Sequence, residues 1–127
     1  MRLNWGAIAV GGIAGIGAAV VLALPIRLLA GSEGFSALAL LILAGFVGQL
    51  VAGYVGGRFA GPAAHATEGG PAAHGGLAAL LAYLVTAAIS IATGQDPPVT
   101  TLVFSGVVAL VLGSAGGVLA AARLRRD

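Results

Sequence analysis

Residues 36–57 read SALALLILAGFVGQLVAGYVGG and carry no charge, with Gln49 as their one strongly polar side chain. A helix rises about 1.5 Å per residue and a bilayer's hydrocarbon core is about 30 Å thick, so roughly 20 apolar residues suffice to cross it. This run meets that requirement. Outward from it, residues 5–24, 75–93 and 99–120 form three more uncharged apolar runs of similar length. Gly94, Gln95, Asp96, Pro97 and Pro98 separate the last two as a tight polar turn that no helix crosses. A barrel strand needs only about 9 to 11 residues and alternates in polarity, which these runs do not. The expected fold is therefore all-α, an integral membrane four-helix bundle, in a single domain over residues 1–127 with a connector at 58–74.

Composition supports this reading and excludes several functions. Of 127 residues 59% are apolar and 8% charged, with 22 Gly and a mean hydropathy of +1.07, leaving too little polar material to clothe a soluble globule. The pI near 10.0 reflects six Arg against four acids, not a basic face, so nucleic acid is not an expected partner. Without cysteine or lysine the chain has no disulfide, thiolate metal site or Schiff-base chemistry. No cofactor is expected.

Arginine placement sets the expected orientation. With four spans, the N-terminus, the 58–74 connector and the C-terminus share one side, which collects Arg2, Arg58, Arg123, Arg125 and Arg126, while Arg27 stands alone opposite. The positive-inside rule puts both termini in the cytoplasm. Glu33 and Asp96 fall on the outer side, and Trp5 is placed as an interfacial anchor. The first run exceeds the apolar region of a cleaved signal and is read as a retained span.

Apolar helices in lipid associate through close backbone approach and occasional hydrogen bonds. At every fourth position the first span reads Ala7, Gly11, Gly15, Ala19, Ala23 and the second Ala44, Gly48, Ala52, Gly56, Ala60. The third reads Ala78, Ala82, Thr86, Ser90, Gly94 and the fourth Ser105, Ala109, Gly113, Gly117, Ala121. GxxxG-like packing is expected, centred on Gly11, Gly15, Gly48, Ala52, Gly56, Gly113 and Gly117. A second register of the second span, Gly45, Gln49, Gly53, Gly57, Gly61, sets the amide in a row of glycines. Gln49 reads either as an interhelical hydrogen bond to Thr86, Ser90, Ser105 or Ser114, or as a pore-lining group. Tyr54 and Tyr83 read as interface or packing residues.

The connector holds G-P-A-A-H twice, at Gly61–His65 and Gly70–His74. His65, Glu68 and His74 form a candidate two-His, one-carboxylate metal set, although their spacing matches no established ligand pattern. The competing readings are a pH-sensitive surface contact and a solvated Gly-rich connector. The order around G-Y-V-G-G-R-F-A-G and H-G-G-L-A-A-L-L-A-Y, within Ala52 to Tyr83, resembles a group of small, uncharacterised four-span prokaryotic membrane proteins. That resemblance implies a four-helix fold in a prokaryotic cytoplasmic membrane and no activity. Paired glycines opening the odd spans and closing the even ones also fit an internal duplication or plain composition.

Function is expected to be non-catalytic. Glu33, Glu68, Asp96 and Asp127 all lie at span ends or in loops, so proton-coupled export lacks an intramembrane acid. There is no nucleophile elbow, and the two histidines share one loop with no matching nucleophile. The leading expectation is a membrane subunit whose small-residue grooves bind a second copy or a larger membrane partner. The alternative is a homo-oligomeric passive channel or small-solute transporter lined by residues such as Gln49.

Overall fold

The computed structural model describes residues 2–30 and 34–126; Glu33 and Asp127 lie outside them. Within these residues the chain is all-α and contains no strand. Its elements are α1 (Trp5–Ala30), α2 (Phe35–Arg58), α3 (Pro62–His65), α4 (Gly70–Ala92) and α5 (Val99–Leu124). The four long helices are each long and apolar enough to cross a membrane, which makes the chain a candidate multi-pass membrane protein.

Two helix boundaries differ from the sequence reading. α1 continues through Pro25 to Ala30 rather than ending near residue 24. A proline removes one backbone donor and crowds the preceding turn, but it does not forbid helix on both sides. α4 begins at Gly70, inside the stretch read as connector, because Gly69 at φ +78 turns the chain and Pro71 fits the first helical turn. At the far end of α4, Gly94 at φ +90 closes the helix: its N–H bonds the Ile91 carbonyl at 3.0 Å and the Gln95 N–H bonds the Ser90 carbonyl at 3.0 Å. This is a Schellman arrangement, and only glycine takes that φ without strain.

α2 is the central helix, packing on α1, α4 and α5, while α4 packs on α1, α2 and α5. The core is built from alanine and glycine, with Ile8 and His74 its largest fully buried side chains. Glycine permits backbones to touch. A Cβ at Gly15 would lie 2.7 Å from the Gly48 oxygen, and one at Gly11 would lie 2.6 Å from the Ala52 oxygen. The α1 row thus meshes with the α2 row Gly48, Ala52, Gly56. On the other flank of α2, Gly53 and Gly57 meet Gly113, Gly116 and Gly117 of α5, and Gly75 of α4 completes a three-helix junction against Gly53 and Gly113.

α4 uses the start of the expected row, where Ala78 and Ala82 are buried, together with a second row. Its contact with α5 runs through Pro71, Gly75 and Ala79, while Ala78 sits over Gly56 of α2 and beside Gly12 of α1. Farther along the expected row, Thr86 is exposed, Ser90 half-buried, and Gly94 lies past the helix end. In a helix where nearly every register is small, spacing does not say which row meets a neighbour.

Candidate functional site

At the end of the bundle where α1 begins and α2 ends, Asn4 ties three helices together. Its side-chain oxygen accepts the Ala7 N–H at 3.2 Å, capping α1. Its amide nitrogen donates to the carbonyls of Phe59 at 3.2 Å and Ala60 at 3.5 Å, just beyond α2. Its backbone N–H reaches Nε2 of His74 at 2.9 Å. His74 is 0% exposed, and its Nδ1 lies 2.8 Å from the Gly70 carbonyl oxygen. Because Asn4 N–H can only donate and the Gly70 oxygen can only accept, the ring is fixed as the neutral tautomer with its proton on Nδ1.

This corrects the placing of His74 in a solvated connector. The two G-P-A-A-H copies have different fates: the first forms the short α3, and the second opens α4 and turns its histidine inward. His65 is half-buried, with Nε2 3.4 Å from the Arg58 carbonyl oxygen. His65 and Glu68 line a hollow of about 340 Å³ with Arg125, and His74 is not part of it. The three candidate metal ligands therefore do not converge, and among the described residues no group of three His, Cys, Asp or Glu stands close enough to hold an ion.

The opposite half of the bundle is different. A groove of about 370 Å³ lies between α1, α2 and α4, lined by Gly15, Ala19, Ala23, Ala44, Gly45 and Gly48, with Gln49, Thr86 and Arg27 also in its wall. It ends blind toward Asn4, where Gly11 touches Ala52 and Gly56. Gln49 Oε1 is buried there with no hydrogen-bond partner. Leaving such an atom unsatisfied costs about 1 to 3 kcal/mol.

None of the expected partners serves Gln49. Thr86, the one of them that lines the groove, bonds its own helix, donating toward the carbonyls of Ala82 at 3.1 Å and Tyr83 at 2.8 Å. Ser90 and Ser105 line a separate hollow beside Tyr83, and Ser114 stands against Gly76 on α4. Gly45 has open space where a Cβ would be, whereas Gly53 in the same register is sealed against Gly113. Tyr83 takes a packing role, its hydroxyl donating to the Leu102 carbonyl at 2.7 Å and clamping α4 to α5.

Asn4 is the residue that sequence reasoning missed. Its signal was present, since an Asn directly before an apolar run is a preferred N-cap. No protein-family model, curated protein or solved structure matches the chain.

Proposed function

We propose that this chain is a non-catalytic multi-pass membrane protein of a prokaryotic cytoplasmic membrane, with both termini inside, and that its groove receives a transmembrane helix from a second copy or another membrane protein. The single observation that carries the reading is the buried, unpartnered Oε1 of Gln49 in a groove lined by small residues. Small residues permit close helix approach and a polar side chain supplies the hydrogen bond, the two attractions that operate between helices in lipid. A partner helix bearing a Ser, Thr, Asn or Tyr donor satisfies both once the Gln49 side chain turns its covered oxygen out into the groove.

The glycines do not themselves define the interface. Gly11, Gly15, Gly48, Gly56, Gly113 and Gly117 are occupied by contacts inside the subunit. What is left for a partner is the groove around Gly45 and Gln49. A passage through a single subunit is disfavoured because the groove ends blind at the glycine contacts. Orientation rests on Arg2, Arg58, Arg123, Arg125 and Arg126 at one end against Arg27 at the other.

The test is extraction from native membranes in mild detergent, followed by mass determination of the intact assembly. A dimer or a stoichiometric complex is expected for the wild type, with the monomer recovered for Gln49→Leu and Gly45→Leu. A wild-type monomer, or an assembly unchanged by both substitutions, contradicts the proposal.

A further inference from the structure

A second hollow, about 550 Å³, opens between α2 and α5 at the end that carries the termini, lined by Tyr54, Leu119, Ala122, Arg123 and Arg126. Its position follows from the α2–α5 seam. Gly116 lies against the Leu50 carbonyl and the Tyr54 backbone nitrogen, so the helices touch there without side chains and the larger residues stand outside the contact. Tyr54 is half-buried and makes no side-chain hydrogen bond among the described residues. Arg123 and Arg126 are exposed, and no ion pair forms among the described residues.

We propose that this hollow binds the headgroup of an anionic phospholipid, an inference that rests on the bilayer reading above. The two guanidinium groups offer paired N–H donors to phosphate oxygens, the geometry in which arginine is strongest. The Tyr54 hydroxyl supplies a further donor at the depth where tyrosine sits in membrane proteins. Leu119 and Ala122 form the apolar wall on which an acyl chain lies. Helix-end charges and the positive-inside rule explain arginines near the end of α5, but they require neither a hollow nor a tyrosine from another helix. Basic pockets between helices on the cytoplasmic side are where anionic headgroups bind. The ligand class is accordingly a phosphodiester lipid with net negative charge, not free phosphate, because the wall is apolar.

The whole chain is reconstituted in vesicles of equal phosphatidylglycerol and phosphatidylcholine, checked for insertion by flotation in carbonate, and extracted for native mass spectrometry. Wild type is expected to retain phosphatidylglycerol over phosphatidylcholine. The Arg123→Gln, Arg126→Gln double variant is expected to lose that preference by about tenfold or more, and Tyr54→Phe by about threefold. Arg125→Gln removes the same charge from the neighbouring hollow and is expected to change retention by less than about twofold, with thermal unfolding in detergent confirming that each variant folds. Failure to float overturns the bilayer reading. Flotation with equal retention of both lipids, equal loss in Arg125→Gln, or displacement by millimolar inorganic phosphate overturns the lipid site while leaving insertion intact.

Discussion

The two ends of this bundle are made from the same small residues and packed in opposite ways. Toward Asn4, glycines from α2, α4 and α5 meet backbone to backbone, and every polar atom of the His74 ring is paired. Toward Arg27 a groove opens between α1, α2 and α4, Gly45 faces open space and the Gln49 carbonyl oxygen has no donor. A glycine row is therefore not an interface by virtue of its spacing. It becomes one where the facing helix is close enough that a Cβ would collide, and it remains available where nothing faces it.

Substitutions at matched positions sharpen that contrast. The largest effect is expected for Gly113→Ala at the three-helix junction, where the added carbon meets backbone of Gly75 that cannot swing aside. A loss of about 3 kcal/mol or more is expected in the free energy of unfolding measured in detergent. His74→Ala is expected to cost about 2 to 4 kcal/mol by leaving a cavity and an unpaired Asn4 N–H, with the fraying of α1 visible in amide exchange. Tyr83→Phe, which removes the bond to Leu102, is expected to cost about 1 kcal/mol.

At the open end the sign reverses. Gln49→Leu removes an unsatisfied buried oxygen and is expected to leave the isolated chain as stable or up to about 1 kcal/mol more stable, even as it abolishes assembly. Gly45→Ala is expected to shift stability by less than about 1 kcal/mol, in the stabilising direction, since alanine favours helix and nothing is displaced. Equal losses from Gly45→Ala and Gly113→Ala in the same unfolding experiment would erase the distinction between the ends.

Much of the architecture was legible because hydropathy and run length act locally: an uncharged run such as 36–57 has few alternatives to a helix. The start of α4 was hidden since glycines and a proline at residues 69–71 read as connector, though here they turn the chain into a helix. That misreading carried His74 with it, as a histidine's burial depends on the helix opposite. Gln49 stood out as a lone amide among glycines, yet its lack of a partner depends on where Thr86 and Ser114 point, and no spacing encodes that. The lining of the hollow by Tyr54 with Arg123 and Arg126 joins residues far apart in sequence, and only the α2–α5 contact brings them together.

Site-specific photo-cross-linking in intact native membranes tests the central claim most directly. A photoreactive side chain replacing Gly45 lies in the groove, and one replacing Gly17, also in open space, reports on a position outside it. The account predicts a discrete adduct of this chain with a protein from position 45, absent from position 17 and lost when Gln49 is changed to Leu. Adducts with lipid alone, or the same protein adduct from both positions, would contradict it.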